Sequence, residues 1–324
     1  MIYFLQSSST DPYLNLSIEE YLMENMESDD FIFFLWQNEN TVVIGRNQNI
    51  WSEVNRKKLF SEKGSLARRI SGGGAVYHDL GNLNFSFIGD DSRYSVKRQL
   101  QFILDVLKKY GVEGEFIGRN DLVVEGRKFS GNAFYKKKNI NLHHGTLLVN
   151  VDMEKLDRYL NVDLEKLKSK SVKSVKSRVV NLCELNEKIS VDGVKKELKR
   201  HFFLMNKNVS ELDFKKIASS NNVKNLVERS KSDEWIFGEN PNFDISFRSR
   251  YSWGDIEVNF VIENKIVRKC KVYSDSLLPD LINRVQELMI DVEYDKNSLV
   301  NSLNPVDDQV IVRDIQNLIK SKNI

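Results

Sequence analysis

One stretch of the sequence joins two arginines to a serine and three consecutive glycines. It runs from Arg68 to Asp79 as Arg-Arg-Ile-Ser-Gly-Gly-Gly-Ala-Val-Tyr-His-Asp. Glycines let the backbone adopt positive φ and approach a ligand closely, because no Cβ is in the way. Backbone N–H groups in such a turn attract anions, and the arginines add fixed positive charge. We therefore predict a phosphate or carboxylate site here, although glycines alone are equally typical of a flexible turn.

The glycine spacing excludes two common phosphate-binding loops. A Walker A loop needs a glycine, four residues and then Gly-Lys-Ser/Thr, and a dinucleotide-binding turn needs a helix after its glycines. Here an alternation of apolar and polar residues follows as far as Ile88, with one break at Gly81-Asn82. This alternation predicts a β-hairpin that presents the anion.

A second stretch places a lysine beside glycines and potential oxygen ligands. Leu122 to Val124 reads as a strand and Glu125-Gly126 as a tight turn, so Lys128 begins the return strand. A lysine in a strand is usually a solvated edge residue. In a cleft, the same ammonium would be a point charge suited to a phosphate or a developing oxyanion. Asn120 and Asp121 carry oxygens of the type that Mg²⁺ prefers.

The strands and helices predicted around these two stretches indicate an α+β protein. Apolar periodicity indicates strands at 2–5, 31–36, 41–44, 147–150, 244–251, 254–262 and 265–273, and helices from Asp11-Pro12 onward and at 51–60, 94–110, 153–160, 191–205, 209–219, 279–290 and 307–321. The lysine- and serine-rich residues 166–178 read as a mobile loop. A change of pattern after 238–242 predicts two domains, at 1–246 and 247–324.

The composition of the chain argues against several classes of function. The chain has 324 residues, of which 41% are hydrophobic, and its net charge of +2 gives no argument for nucleic-acid binding. Cys183 and Cys270 are the two cysteines, so neither a disulfide framework nor a zinc site is expected. The start of the chain lacks a signal-peptide pattern, and no segment reaches the roughly 18 apolar residues of a membrane span. We expect a cytoplasmic protein that binds neither nucleic acid nor membranes.

Taken together, these motifs resemble the signature of lipoate–protein ligases. The similar segments, in the same order, are Gly45-Arg46-Asn47-Gln48-Asn49, 68–82, 120–133, His144-Gly145-Thr146, 177–182, Tyr251-Ser252-Trp253-Gly254 and 273–277. The resemblance implies a catalytic domain of the biotin/lipoate ligase and class II synthetase-like type, with mixed, mainly antiparallel sheets and flanking helices. A small α+β C-terminal accessory domain would follow it.

The resemblance also implies an enzymatic activity in two half-reactions. Lipoate and ATP, with Mg²⁺, would give lipoyl-AMP and pyrophosphate. The lipoyl group would then pass to a specific lysine of a lipoyl-domain acceptor, such as the E2 subunit of a 2-oxoacid dehydrogenase or the glycine cleavage H protein. The loop 168–182 would cover the adenylate.

The roles of individual residues follow from the same resemblance. Lys128 would be catalytic and would bridge lipoate and phosphate. The nucleotide would contact Arg69, Gly74, Ala75, Val76, Tyr77, Asn120, Asp121, Ser177 and Arg178, with Asn120 and Asp121 also as candidate metal ligands. Lipoate would contact Trp36, Arg46, Ser71, Gly72, Gly73, His78, Phe85, Gly131, His144 and Gly145, with Trp36, Val43 and Phe85 as candidates for the apolar slot of its dithiolane.

Other functions remain open at this point. An ATP-independent octanoyl or lipoyl transferase of the same fold would need a thiolate, for which Cys183 is a candidate. A transferase that uses preformed lipoyl-AMP would keep nearly every binding residue, and a lipoate sensor would bind without turnover. A biotin ligase is not expected, because its Gly-Arg-Gly-Arg loop is absent. His78 and His144 are equally consistent with packing and with ligand contact.

Overall fold

The computed structural model describes residues 1–161, 178–238, 242–322 and 324. These residues form two compact units. The first unit comprises Met1–Val43, Trp51–Arg68 and Ala75–Ile236, and the second comprises Ile44–Ile50, Arg69–Gly74 and Phe237–Ile324. Arg69–Gly74 of the arginine–glycine stretch thus belong to the second unit, and Lys128 belongs to the first.

A mixed eight-stranded sheet forms the centre of the first unit. Its strands are β1 (Ile2–Gln6), β2 (Phe31–Trp36), β6 (Asn82–Asp90), β7 (Glu115–Ile117), β8 (Asp121–Val124), β9 (Arg127–Lys137), β10 (Ile140–Leu148) and β11 (Val209–Glu211). Their order in the sheet is β11-β1-β2-β6-β10-β9-β8-β7, and β11, β1 and β2 run parallel whereas the remaining neighbours are antiparallel. A smaller sheet has the order β4-β3-β5, with β3 (Thr41–Ile44), β4 (Ser65–Arg68) and β5 (Val76–His78).

Helices flank these sheets. They are α1 (Pro12–Glu24), α2 (Ile50–Glu53), α3 (Arg56–Ser61), α4 (Val96–Lys108), α5 (Met153–Tyr159), α6 (Leu182–Leu185), α7 (Val191–Met205), α8 (Phe214–Ala218), α9 (Asn221–Lys231) and α10 (Asp233–Phe237). The start of α1 follows the predicted signal, because Asp11 accepts hydrogen bonds from the N–H groups of Tyr13 and Leu14 and Pro12 occupies the first helical position.

The two faces of the large sheet differ in character because side chains alternate along each strand. One face carries the aromatic core, which includes Phe33, Phe85 and Phe87 and packs against Phe102 of α4 and Phe202 of α7. The other face carries polar side chains in register: Asn84 pairs with both Trp36 and Thr146, and Ser86 pairs with His144. Trp36 and His144, two of the candidate lipoate contacts, therefore lie on the polar face.

The predicted hairpin around Gly81-Asn82 is wrong. Strand β5 pairs with β3 of the small sheet, whereas β6 pairs with β2 and β10 of the large one. The chain turns at Asp79, whose carboxylate accepts a hydrogen bond from the Gly81 N–H at 2.8 Å, and Gly81 O then accepts from Asn150 N. Alternation shows that two strands exist but not whether they share a sheet.

Four other local predictions also need correction. The predicted helix at 209–219 is strand β11 followed by the short helix α8, and the helix predicted at 51–60 is two short helices, α2 and α3. His144 lies inside β10 rather than before a strand. The turn after the strand predicted at 254–262 lies at Asn264 and Lys265, which both have positive φ, so the strand predicted from 265 begins at Ile266.

The second unit is a small α+β structure. Its sheet contains β12 (Ile245–Tyr251), β13 (Gly254–Glu263) and β14 (Ile266–Ser274), all antiparallel, and its helices are α11 (Pro279–Leu288), α12 (Lys296–Ser302) and α13 (Gln309–Lys320). Val258, Phe260, Val285 and Ile315 are fully buried in its separate core. These observations confirm the predicted fold class, and the domain boundary at 246/247 stays a prediction.

The described helices are all too short or too polar to cross a membrane.

Candidate functional site

A β-bulge determines where Lys128 points. Val123 of β8 pairs with Lys128 and Leu122 pairs with Ser130, so Phe129 is an extra residue on β9. A bulge of this kind changes the direction of the side chains that follow it. Phe129 enters the core with no exposure, and Lys128 lies with Asp121 and Gly131 on the opposite face. The strand is therefore irregular at the residue predicted to be catalytic.

The Lys128 ammonium is partly accessible and forms an ion pair. Its Nζ lies 2.7 Å from Asp121 Oδ1, and the side chains of both residues are about one-third exposed. An ion pair this accessible contributes about 0–1 kcal/mol to stability, so the pair is weak enough for a ligand to replace. The geometry leaves a cation available on the polar face of the sheet.

Gly131 makes room for this ammonium. A Cβ built on Gly131 would lie 2.7 Å from Lys128 Nζ and 2.9 Å from its Cε. These atoms form the flexible end of a side chain, so a larger residue at 131 would displace the ammonium rather than the backbone.

Gly131→Ala should therefore lower activity without unfolding the protein. We expect kcat/KM to fall roughly 10- to 100-fold, because a shift of about 1 Å in a positioned group costs on that order. The melting temperature should stay within about 2 °C of wild type. Steady-state acceptor modification and a thermal melt measure both quantities, and full activity in this variant would contradict the assigned position of the ammonium.

The chain that returns from the basic loop is joined to Lys128 through the backbone. Lys128 N donates to Arg178 O at 2.7 Å, and Val180 N donates to Lys128 O at 2.9 Å. Val180 is fully buried in the core. Arg178, a predicted nucleotide ligand, is thus held next to Lys128, and its Nε is buried with no hydrogen-bond partner among the described residues. Ser177 and most of the loop 168–182 lie outside the described residues.

A series of buried hydrogen bonds lies on the face of the sheet opposite Lys128. Asn120 Nδ2 donates to Asn132 O at 2.7 Å, and Asn132 Nδ2 donates to Asn120 O at 3.1 Å. Asn132 Oδ1 lies 2.9 Å from His143 Nε2, and His143 Nδ1 lies 2.8 Å from Gln99 Oε1. Burial, followed by the effect of His144, lowers the pKa of His143 to about 3. The ring is therefore neutral and has a structural role. Sequence reasoning missed Asn132 and Gln99, which had no local signal.

This buried imidazole predicts a loss of stability in mild acid. Between its folded pKa of about 3 and the ordinary value of 6.5, the unfolded chain binds a proton that the folded chain does not. The free energy of unfolding should therefore fall as the pH drops below 6.5, at up to about 1.4 kcal/mol per pH unit. Urea titrations at pH 7, 6 and 5 measure the slope, and this window lies above the carboxylate range.

His143→Gln should flatten that slope, and His201→Gln serves as the matched control. Burial also lowers the pKa of His201, but its side chain is half-buried rather than fully buried, so it should contribute less. An identical slope in wild type and His143→Gln would show that the ring is protonated in the folded protein.

A second buried network lies on the polar face and includes Trp36 and His144. Both carboxylate oxygens of Glu19 lie 3.0 Å from His144 Nδ1, Ser86 Oγ donates to Glu19 Oε1 at 2.5 Å, and Trp36 Nε1 donates to Ser86 Oγ at 2.8 Å. Glu19 is 1% exposed. These bonds fix the Trp36 and His144 rings. Glu19 was missed by sequence reasoning, although its polar side chain on the buried face of α1 was a usable signal.

The remaining predicted lipoate contacts of the first unit lie on different faces. His78 is buried beside Trp36, and Asn38 Nδ2 donates to its Nδ1 at 3.2 Å. Phe85 is fully buried in the core beside His143, and a Cβ on Gly145 would overlap the Phe85 ring at 2.4 Å. Phe85 and Gly145 therefore face the core, and Trp36 and Val43 remain candidates for the apolar slot.

The predicted nucleotide contacts at 75–77 differ in accessibility. Ala75 and Val76 are half-buried. Tyr77 is 1% exposed, its hydroxyl donates to Asn40 Oδ1 at 3.1 Å, and burial raises its pKa well above the usual range. A nucleotide would therefore have to contact the backbone of Tyr77 rather than its side chain.

In the second unit, Arg69 forms hydrogen bonds with residues 71–74, which we call the glycine loop. Its Nε donates to Ser71 Oγ at 3.0 Å, and its Nη2 donates to Gly72 O at 2.7 Å and to Gly74 O at 2.8 Å. Arg69 is only 6% exposed. The guanidinium thus binds the carbonyl oxygens of the loop.

The loop is also fixed by close backbone contacts that only glycine allows. A Cβ on Gly72 would lie 2.0 Å from Ser276 O, and a Cβ on Gly45 would lie 2.1 Å from Gly73 O. Gly73, at φ 87°, donates its N–H to Ser276 O at 3.1 Å. Arg46 N donates to Ser71 O at 2.9 Å, and its guanidinium lies 3.9 Å from Asp280. Ser276, which sequence reasoning missed, therefore holds the predicted anion loop in place.

The described residues contain no cluster of three or more histidine, cysteine or acidic side chains that could hold a metal by itself. Asn120 and Asp121 offer one amide and one carboxylate. This donor set suits Mg²⁺ that arrives with a nucleotide, because such an ion takes one or two carboxylates and completes its shell with phosphate oxygens and water.

Cys183 does not resemble an activated nucleophile. Its Sγ lies 3.4 Å from Asn150 Oδ1, and burial, followed by the charge of Glu184, raises its pKa. A catalytic thiol needs a pKa lowered by nearby positive charge. The transferase alternative based on this thiol therefore loses support.

Comparison with known proteins agrees with this description. Residues 11–203 match the family model "Lipoyl protein ligase A/B catalytic domain", and residues 240–319 match "Bacterial lipoate protein ligase C-terminus". Lipoate-protein ligase A of Blochmanniella floridana is 39% identical over 90% of this chain and 88% of its own length, and that of Bdellovibrio bacteriovorus is 38% identical over 93% and 91%.

Solved structures show the same fold. P. falciparum LipL1, crystallised with lipoate, superimposes with a TM-score of 0.86 at 29% identity over 99% of this chain and 100% of its own. A lipoate-protein ligase A bound with ATP covers 73% of this chain and 98% of its own, with a TM-score of 0.60 at 22% identity. The fold and the sequence define a lipoyl ligase catalytic domain followed by its C-terminal domain.

The chain belongs to the lipoate–protein ligase family. It is a ligase, as the resemblance of its motifs predicted.

Proposed function

We propose that this chain activates lipoate with ATP and transfers the lipoyl group to a lysine of lipoyl-domain acceptor proteins, with Lys128 as the catalytic residue. The observation that carries the proposal is the position of the Lys128 ammonium. A bulge turns it onto the polar face of the sheet, Gly131 leaves room for it, and a weak ion pair with Asp121 holds it. Relatives about 38–39% identical are lipoate-protein ligases A.

In the first half-reaction a carboxylate oxygen of lipoate attacks the α-phosphorus of ATP. The new O–P bond forms as the bond to pyrophosphate breaks, and pyrophosphate leaves with the electron pair. Two anions must meet, so the site has to supply positive charge that acts most strongly in the transition state. The ammonium of Lys128 suits this task, since it can leave Asp121 for the carboxylate and the α-phosphate at little cost.

In the second half-reaction the acceptor lysine attacks the acyl carbonyl of lipoyl-AMP. The amide bond forms, the amine loses a proton, and AMP leaves with the electron pair of the broken C–O bond. Lys128 would stabilise the oxyanion on the acyl oxygen and the negative charge on AMP. With Asp121, Asn120 and phosphate oxygens as ligands, bound Mg²⁺ would supply charge for the departing pyrophosphate.

The remaining residues would divide into lipoate contacts and nucleotide contacts, as the resemblance implies. The loop Ser71–Gly73 and Arg46 would contact lipoate, and Gly74, Ala75 and the Tyr77 backbone would contact the nucleotide. Arg69 would act by holding the loop carbonyls, which is the bond pattern its guanidinium has now. Trp36 would line the dithiolane slot, with its indole fixed by Ser86 and Glu19. The E2 subunits of 2-oxoacid dehydrogenases and the glycine cleavage H protein are the proposed acceptors.

Lipoate-dependent exchange between ATP and labelled pyrophosphate tests the proposal. Wild type should catalyse exchange only with lipoate present, and Cys183→Ala should exchange at an equal rate. No exchange by wild type, together with transfer from supplied lipoyl-AMP, would identify a lipoyl-AMP-dependent transferase instead. Acyl transfer without any nucleotide that disappears in Cys183→Ala would identify a thiol-dependent transferase.

A further inference from the structure

Asn84 carries a buried amide that is only partly hydrogen-bonded. The residue lies in strand β6 and is 1% exposed, and Asn82, two residues earlier on the same face, is fully buried. Asn82 Nδ2 donates to Asn84 Oδ1 at 2.9 Å. Asn84 Nδ2 and Asn82 Oδ1 are both buried and have no hydrogen-bond partner in the described part of the chain. An unpaired buried N–H group costs stability, so a group that accepts from Asn84 is expected.

The residues on either side of Asn84 in the sheet do not supply that acceptor. Trp36 lies opposite Asn84 on β2, and the one N–H of its indole donates to Ser86 Oγ at 2.8 Å. Thr146 lies opposite Asn84 on β10, and its hydroxyl accepts from Gly131 N at 3.2 Å and donates to Gly131 O at 3.4 Å. A ligand, or water in its absence, is therefore left as the acceptor.

The position of Thr146 relates Asn84 to the ammonium of Lys128. A Cβ built on Gly131 would lie 2.7 Å from Lys128 Nζ and 4.0 Å from Thr146 Oγ1. The ammonium and this hydroxyl thus lie near one point of the polar face, and Asn84 is the next residue across the sheet, at the usual strand spacing of about 4.8 Å. The side chain of Lys128 is 34% exposed, whereas Trp36 is 3% exposed. A substrate that enters beside Lys128 and extends toward Trp36 therefore passes Asn84.

We propose that the Asn84 amide donates a hydrogen bond to the acyl oxygen of lipoyl-AMP and stabilises, together with Lys128, the oxyanion of the transfer step. This inference rests on the proposed two-step activity and adds a second donor to it. When the acceptor amine attacks, the C–N bond forms and the π electron pair of the carbonyl moves onto the acyl oxygen. The carbonyl re-forms as AMP leaves with the electron pair of the C–O bond, and the proton of the amine passes to solvent. A neutral N–H donor stabilises the oxyanion without exchanging a proton.

The charge of this oxygen also determines which end of the Asn84 amide must face it. If both amides were turned over, Asn84 would present its carbonyl oxygen, and Asn82 would hold the unpaired N–H group. An oxyanion repels a carbonyl oxygen. It therefore favours the orientation found here, in which Asn84 accepts from Asn82 and keeps its own N–H groups for the ligand.

Separate measurement of the two half-reactions tests the proposal. Asn84→Ala should lower single-turnover transfer from supplied lipoyl-AMP to an acceptor domain by about 10²–10³-fold, the usual loss for one oxyanion donor. Lipoate-dependent pyrophosphate exchange should fall less than about tenfold, as expected for loss of one neutral hydrogen bond. The difference arises because the charge that develops during activation lies on phosphate oxygens rather than on the acyl oxygen. Lys128→Ala, by contrast, should lower both steps.

Asn82→Ala is the matched control. Both alanine variants break the same hydrogen bond between Asn82 and Asn84, so both should lower the melting temperature to a similar extent, but only Asn84→Ala removes the donor. Asn82→Ala should lower transfer less than about tenfold. Equal losses of transfer in the two variants, equal losses of both half-reactions in Asn84→Ala, or unchanged transfer in Asn84→Ala would overturn the proposal.

Side-chain amide NMR gives an independent measurement on the wild-type protein. Asn84→Asp keeps an acceptor for Asn82 and identifies the Asn84 Nδ2 signal by its loss. An unreactive lipoyl-adenylate analogue should shift this signal downfield saturably, whereas AMP alone should not. No shift at full occupancy would overturn the proposal, whether or not the alanine variants fold. Transfer by wild type from lipoyl-AMP without pyrophosphate exchange would refute the proposed activation step and leave the test of Asn84 in the transfer step unaffected.

Discussion

Lys128→Ala is expected to lower both half-reactions by at least about 10³-fold while the fold stays intact. The substitution removes the positive charge that both transition states require, and removal of one preorganised electrostatic group typically costs 10²–10³-fold in rate. Here the same group serves two steps in sequence. Stability should change by less than about 1 kcal/mol, because the Lys128–Asp121 pair is accessible on both sides.

The two steps can be measured separately. Pyrophosphate exchange reports formation of lipoyl-AMP, and transfer from supplied lipoyl-AMP to an acceptor domain, read by intact mass, reports the second step. Lys128→Arg should not rescue either rate fully, because a planar guanidinium does not replace a compact ammonium.

Lys136→Ala is the matched control for this variant. Lys136 lies on the same strand and also forms an ion pair at 2.7 Å, with Asp91, but its side chain is more exposed at 53%. We expect unchanged rates in this variant. Full second-step activity in Lys128→Ala would show that the lysine serves activation alone, and full activity in both steps would remove it from the mechanism.

Gly72→Ala should produce the second large effect. The new Cβ would lie 2.0 Å from Ser276 O, which is a backbone atom and cannot rotate away, so the glycine loop must shift. We expect exchange activity to fall at least about 100-fold, since the loop is proposed to hold lipoate and nucleotide. The free energy of unfolding should fall by about 1–3 kcal/mol, as is usual for overpacking.

Gly74→Ala provides the stability control two residues away. A Cβ at Gly74 would meet no atom within 4 Å, and its φ is not positive, so urea titration should give wild-type stability. Equal loss of stability in both variants would mean that the loop tolerates no side chain for reasons other than contact with Ser276. Wild-type exchange activity in Gly72→Ala would contradict the functional role of the loop geometry.

Local sequence patterns predicted the strands and turns of the site, but not how the strands pair with one another. Glu125-Gly126 correctly predicted the tight turn before Lys128, and both residues have positive φ. The bulge at Phe129 was not predictable, because the extra residue is visible only in the register between β8 and β9. The bulge decides which face Lys128 occupies.

For the glycine loop, too, the sequence predicted the local backbone but not the residues that contact it. Its composition predicted a backbone that approaches another group closely, and the closest group found is Ser276 O from far along the chain. Arg69 was expected at a ligand, yet its guanidinium binds the carbonyls of its own loop. Periodicity likewise placed Phe85 in a strand, and the core packing that removes it from the ligand face depends on α4 and α7.

A crystal structure with an unreactive lipoyl-adenylate analogue tests the central claim most directly. We predict that Lys128 Nζ leaves Asp121 and lies about 2.7–3.2 Å from both the acyl oxygen and an α-phosphate oxygen. If Nζ stays paired with Asp121 and points to solvent, away from both oxygens of a fully occupied ligand, the assignment of Lys128 is wrong.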